Sequence, residues 1–273
     1  MKKLPITIAG AVVFSLGTIG TAQAASFLST SNGQVGKIDT STGKFTPLNS
    51  DGIPFFDIAL SNSGELFGVT PSALYSIDKS TGLSSLIGYL FAFINALGFS
   101  DDDNVLYGAG DDSFYTIDTA SGAASLVAKI TNFNSSGDIA FDSVNNQFFA
   151  TSLSFDGSSD ILFSIANDGT ATEIGSIGFR DIFGLFFENG TLFGYTADGQ
   201  QITIDPTTGA GTFSQNVALA GINRIYGAAA VSRATVFEPM SVLGSTTVPE
   251  PMSVLSLLAV GAFGAGVLFK HKL

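Results

Sequence analysis

Ile77-Asp78-Lys79-Ser80-Thr81-Gly82 returns as Ile38-Asp39-Thr40-Ser41-Thr42-Gly43, as Ile117-Asp118-Thr119-Ala120-Ser121-Gly122 and as Ile204-Asp205-Pro206-Thr207-Thr208-Gly209, with a degenerate copy at Ile165-Ala166-Asn167-Asp168-Gly169. The residues before it alternate, as in Leu74-Tyr75-Ser76-Ile77, which suits a half-buried strand. Asp at the strand end can accept from backbone N–H groups two or three residues on, and the closing Gly enters a positive φ that other residues reach only at a cost. A second strand follows, such as Leu83-Ser84-Ser85-Leu86-Ile87-Gly88. One such hairpin is a weak signal. Here the Ile positions are spaced 39, 40, 48 and 39 residues apart. A period near 40 in a strand-rich chain marks propeller blades. A β-sandwich is the structural competitor, and it leaves the period unexplained.

Working outward, each phrase sits in a unit of short apolar runs. Four units have four runs each, the second beginning at Asp57 and the last ending near Phe213. The unit between Asp138 and Ile174 is longer because Ser154-Phe155-Asp156-Gly157-Ser158-Ser159-Asp160 is inserted between its second and third runs. The first unit has only three: Ser26 to Ser29, Val35 to Ile38 and Phe45 to Leu48. One run, Ile225 to Val231, is left over, and its small residues match the first strand of the other units. It can complete the N-terminal unit, closing a ring and removing two sheet edges. The expected fold is all-β: a five-bladed β-propeller closed by its C-terminal strand, spanning residues 25–232.

The composition agrees. The chain has 273 residues with 25 Phe and 32 Gly, as many short buried strands joined by tight turns require. It has no Cys, so no disulfide or thiolate metal site is available. Its one His, His271, lies in the last three residues, which removes Ser-His and His-zinc chemistry from the repeats. The formal net charge is −12. Setting aside Lys2, Lys3, Glu250, Lys270 and Lys272 leaves 22 acidic and 7 basic residues. That excess argues against nucleic acid, whose phosphates need a basic face.

Residues 1–24 read as a secretory signal of bacterial type: Lys2 and Lys3, an apolar run from Ile6 to Gly20, then Ala22-Gln23-Ala24 before Ala25. Residues 233–247 read as a linker. It contains Glu238-Pro239-Met240-Ser241-Val242-Leu243, which anticipates Glu250-Pro251-Met252-Ser253-Val254-Leu255. Residues 248–273 combine Val248-Pro249-Glu250-Pro251, a mostly apolar stretch from Val254 to Phe269 and the basic end Lys270-His271-Lys272. The apolar stretch falls short of the about 20 residues that span a bilayer comfortably. This three-part tail resembles the PEP-CTERM sorting signal of exported bacterial proteins. The resemblance implies a short C-terminal hydrophobic helix inserted transiently in the membrane, with recognition of Pro249, Glu250 and Pro251 by an exosortase that processes the tail. It further implies a final place at the cell surface or outside the cell, in company with exopolysaccharide and biofilm. A plain C-terminal anchor is the alternative. The repeats also look like secreted propeller families of unknown function, which carries no activity across.

Propellers bind ligands at the mouth of the central channel, near the start of the innermost strands. Counting from the first run of each unit, these positions are Asp57, Asn95, Asp138, Asp181 and Arg224. Their oxygens suit calcium or a ring of hydrogen bonds to sugar hydroxyls, and they equally suit strand ends that meet water. Asp101-Asp102-Asp103-Asn104 and Asp111-Asp112 lack the spacing of a calcium loop and read as solvated turns. Phe67, Tyr107, Phe149 and Phe193 recur at one position and read as packing between blades. Glu65, Glu173 and Glu188 are the only Glu of the repeats, and no spacing singles out an acid and a base. The expectation is a non-enzymatic surface or matrix protein with no cofactor required. A propeller-based glycoside hydrolase or lyase, or a protein docking platform, is the alternative. A clustered carboxyl pair in the channel favours the enzyme; dispersed carboxylates and a narrow channel favour binding or structure.

Overall fold

The computed structural model describes residues 25–101, 104–219 and 224–231. The signal segment, the linker and the sorting signal, with Pro249, Glu250 and Pro251, lie outside the described residues, as do Asp102 and Asp103. The described residues form twenty strands and no helix.

The strands make five four-stranded antiparallel sheets. Blade 1 is built of β1 (Ser26–Thr30), β2 (Val35–Asp39) and β3 (Lys44–Pro47). Blade 2 runs outward through β4 (Asp57–Leu60), β5 (Leu66–Val69), β6 (Ala73–Ile77) and β7 (Ser84–Tyr89). Blade 3 has β8 (Ala96–Ser100), β9 (Val105–Gly110), β10 (Ser113–Ile117) and β11 (Ala124–Lys129). Blade 4 has β12 (Ser135–Asp142), β13 (Gln147–Leu153), β14 (Asp160–Ala166) and β15 (Ala171–Ser176). Blade 5 has β16 (Ile182–Glu188), β17 (Thr191–Thr196), β18 (Gln200–Ile204) and β19 (Gly211–Asn216). The last strand, β20 (Ile225–Ala229), pairs with β1 and becomes the inner strand of blade 1, in register Phe27↔Ala229, Leu28↔Ala228 and Ser29↔Gly227. The expected five blades and the closure by the C-terminal strand are both present.

The core is not one mass but five seams, each between neighbouring blades. The repeated Ile residues 38, 77, 117, 165 and 204 are all buried in these seams. So are Phe67, Tyr107 and Phe149, which pack on Phe99, Phe148 and Phe187 of the following blade at centroid distances of 5.5, 5.0 and 5.6 Å. Phe193 is half-buried and packs within its own blade on Phe186. The seam between blades 5 and 1 also carries a polar tie: Glu188 accepts from Ser26 Oγ at 2.9 Å and from Thr40 Oγ1. Glu188 is therefore a closure residue.

The hairpin phrase forms as its chemistry requires. Asp78 Oδ1 accepts from the N–H groups of Ser80 (2.8 Å) and Thr81 (3.0 Å), and Asp118 Oδ1 does the same with Ala120 (2.8 Å) and Ser121 (2.9 Å). The Ser80 hydroxyl, then these amides, hold the Asp78 carboxyl down at about 2. The closing glycines do more than turn the chain. A Cβ on Gly122 would lie 2.9 Å from Gly88 C in β7, and one on Gly209 would lie 2.7 Å from Gly175 O in β15. Gly43, Gly82 and Gly169 likewise face the outer region of the preceding blade. The repeated phrase is thus a fastener between blades. Four blades add a bulge in the outermost pair at matching positions, for instance between Leu74 and Tyr75 and between Phe114 and Tyr115. Bulges disrupt the free edge as a pairing template.

This assigns a measurable weight to the fastener. Gly122 (φ 76°) and Gly157 (φ 67°) both have positive φ, but Gly157 has nothing within 4 Å of its would-be Cβ. Gly157→Ala is expected to cost only the backbone term, about 1–2 kcal/mol. Gly122→Ala is expected to cost clearly more, because Ala would also push blade 2 away. Denaturant midpoints of the two variants read the difference, and equal losses would remove the fastener role.

Candidate functional site

The inner strands β20, β4, β8, β12 and β16 surround the channel, and their register follows from the triplets that line it: Ile58-Ala59-Leu60, Leu97-Gly98-Phe99, Ile139-Ala140-Phe141, Leu185-Phe186-Phe187 and Ala228-Ala229-Ala230. These leave a cavity of about 30 Å³. That volume is enough for a water or two, so the channel is packed shut below its mouth.

One residue earlier in each strand stand Asp57, Ala96, Asp138, Gly184 and Gly227. Asp57 and Asp138 are fully buried here. An inner strand has no further neighbour, so its N–H groups at this level point into the channel and need acceptors. Asp57 Oδ1 accepts from Ile58 N–H (2.7 Å) and Ala228 N–H (3.3 Å), and Oδ2 from Leu97 N–H (2.6 Å). Asp138 accepts from Leu185 N–H through Oδ2. Two carboxyls from two blades thereby serve four of the five register-equivalent amides, those of Ile58, Leu97, Leu185 and Ala228. The small residues at the other three positions make the room. A Cβ on Gly227 would sit 2.4 Å from Asp57 Oδ1.

Asp138 Oδ1 faces no N–H or O–H donor, and the Asp138 carboxyl has the Asp57 carboxyl as its neighbour. That contact is a hydrogen bond only if a proton lies between the two acids. Burial pushes both carboxyls well above their ordinary range, and for Asp138 the neighbouring Asp57 charge pushes further. Both effects favour a proton kept on the pair, and three of its four oxygens are occupied by backbone donors. A cation at this level would have to displace those donors.

One residue further out, Phe56, Asn95, Gly137, Phe183 and Tyr226 form the mouth, joined by Phe93 and Ser136 around a cavity of about 220 Å³. The rings meet edge to face: Phe56–Phe93 at 6.4 Å, Phe56–Tyr226 at 6.1 Å and Phe183–Tyr226 at 6.4 Å. Asn95 Nδ2 donates to Ser135 O at 3.2 Å, while its Oδ1 and the Ser135 hydroxyl are buried without partners. Above the mouth, Arg224 Nη2 stands 3.9 Å from both Asp181 Oδ2 and Asp198 Oδ1, and Arg180 Nε is 3.7 Å from Asp181.

The five positions expected to share one ring therefore occupy three levels. Asp57 and Asp138 meet under the floor, Asn95 lines the mouth, and Asp181 and Arg224 form an ion pair on the rim. Polar residues near the strand starts do not share a register, whereas the apolar triplets do. Aligning on those triplets places Phe56, Phe183 and Tyr226 in one column, and this is the signal that reveals the aromatic mouth.

No protein-family model matches the chain, and no curated protein matches it. Among solved structures the chain is similar to a protein of unknown function from Bacteroides thetaiotaomicron, with 14% identity and a TM-score of 0.50 over 76% of this chain and 62% of that one. It thus spans less than two thirds of that protein's length. It is also similar to a chain of the nidogen/laminin complex, with 10% identity and a TM-score of 0.52 over 77% of this chain and 99% of that one. At these identities the likeness shows the fold alone.

Proposed function

We propose that this is an exported, non-enzymatic protein of the cell surface or extracellular matrix. Its C-terminal signal is processed by an exosortase after transient membrane insertion, and its channel mouth binds exopolysaccharide. The export steps rest on the two sequence ends. The observation that carries binding is the mouth itself: aromatic rings, an amide and a hydroxyl around about 220 Å³. Rings stack on the apolar faces of sugars while amides and hydroxyls meet their oxygens. The Asp57–Asp138 pair favours the hydrolase or lyase reading, since buried acids of raised pKa serve as proton donors. Against it, both acids are fully buried and turned to backbone donors.

The test is retention of the purified protein on the producing cell's own exopolysaccharide, with calcium and with chelator. Retention is expected in both, with Tyr226→Ala weakening it at least about fivefold, the loss of roughly one stacking contact. Release of new sugar ends during the assay would establish the enzyme instead. Failure to be retained in either condition would remove the glycan role.

A further inference from the structure

Tyr89, Phe91 and Phe93 alternate along the connection that leads from the end of β7 to the start of β8. Because β8 begins at the mouth, this connection crosses the mouth face from the edge of blade 2 to the channel. Tyr89 is 57% exposed, Phe91 93% and Phe93 43%. Tyr89 and Phe91 are in ring contact at 6.5 Å, and Phe93 touches Phe56 of the mouth.

Phe91 also holds a φ of 55°, a left-handed conformation that an aromatic residue adopts at a cost. The matching connection of blade 4 makes the same turn with a different residue. Leu90 and Ile177 are both buried after an outer strand, and both donate N–H back to their own blade, to Ser72 O at 3.0 Å and Asp160 O at 2.8 Å. The next residue is Gly178 (φ 78°) after blade 4 and Phe91 after blade 2. A glycine meets the backbone requirement without strain. Phe91 meets it with strain and packs into no core seam, so the fold does not account for it.

The charges of this face select the ligand. Lys129 is bound to Asp112 at 2.7 Å, and Arg180 and Arg224 stand beside Asp181 and Asp198. Among the described residues of the face, each cation has its carboxylate, and Asp111 adds further negative charge. An acidic polymer or an anionic lipid surface meets repulsion here. Tyr226, Asn95 and Ser136 set hydrogen-bonding groups among the rings, which suits a polyol and not an acyl chain.

We propose that Tyr89, Phe91 and Phe93 extend the mouth into a continuous aromatic track for an uncharged glycan chain, with Phe91 held out as its stacking platform. The proposal rests on the glycan-binding role given to the mouth. Affinity electrophoresis of the full chain through gels holding dextran, laminarin or hydroxyethyl cellulose, with alginate as the acidic polymer, tests it. An uncharged polymer is expected to retard the protein and alginate is not. Phe91→Gly is expected to weaken retardation at least fivefold while leaving the melting temperature unchanged or raised, because it relieves the left-handed strain. Binding and stability moving in opposite directions is the signature that a merely structural role does not give. Loss of retardation with Tyr226→Ala but not with Phe91→Gly would overturn the track and leave the mouth standing. Retardation by alginate alone, or by none of the polymers, would overturn the proposal. So would Phe91-dependent binding to phosphatidylcholine vesicles without retardation by any polymer, or a melting temperature lowered by Phe91→Gly.

Discussion

A chain ending at Leu219 is expected not to fold, whereas one ending at Val231 should unfold at the same denaturant concentration as the full chain. The two differ by little more than β20, whose five residues do three jobs. They supply the ladder partner of β1, completing the four strands of blade 1. They bury Ile225, Ala228 and Ala229 in the seams with blades 2 and 5. They present Ala228 N–H to Asp57. Losing them leaves blades 5 and 2 facing a gap, and the channel loses one of its five walls. The total is comparable with the whole stability of a domain, about 5–15 kcal/mol. Gly227→Ala should reproduce a part of it in the full chain, since its Cβ would fall 2.5 Å from Asp57 Cα. Circular dichroism and denaturant titration of the three chains decide the matter. A cooperative transition at an unchanged midpoint in the shorter chain would show that the ring does not need its closure.

That closure was legible in the sequence because it is a counting argument. Three runs at one end and one orphan run at the other can be added without knowing any contact. The hairpins were legible because Asp and Gly act within six residues of chain. What escaped was everything that depends on depth along the channel. Asp57, Asn95 and Asp138 stand near the start of comparable strands, and only packing shows that two of them lie one level below the third. Phe91 looks like any loop aromatic until its φ and exposure are known. No spacing marks Glu188, because its partners Ser26 and Thr40 are far away in sequence. Blade-to-blade contacts of this kind join residues that no local pattern relates.

Exchanging the two buried acids for their amides should give opposite results. In Asp138→Asn the amide oxygen can accept from Leu185 N–H while its NH₂ donates to Asp57, doing what the protonated acid does now. In Asp57→Asn an acceptor becomes a donor. Whichever way the amide is turned, its NH₂ meets either Leu97 N–H or the N–H groups of Ile58 and Ala228. The expected loss is about 1–3 kcal/mol at every pH, the cost of a buried donor left unpaired. For Asp138→Asn the sign depends on pH. The raised pKa values of the pair mean that the folded protein keeps a proton which the unfolded chain releases above about 4. Wild-type stability from this source is greatest below that pH and declines as pH rises toward the pair's own titration. Asp138→Asn escapes the decline, gaining on the wild type by up to about tenfold in folding constant per pH unit. It should match the wild type near pH 4 and exceed it at pH 7.5. The exposed turn carboxyls act in a separate window with the opposite sign. Asp78, held at about 2, contributes above its ordinary 3.8 and loses that contribution only as pH falls toward 2. Urea titrations at pH 4.5, 6 and 7.5 separate the two effects. A pH profile for Asp138→Asn parallel to that of the wild type would mean that the carboxyls share no proton, and the four channel amides they serve would then face two full negative charges.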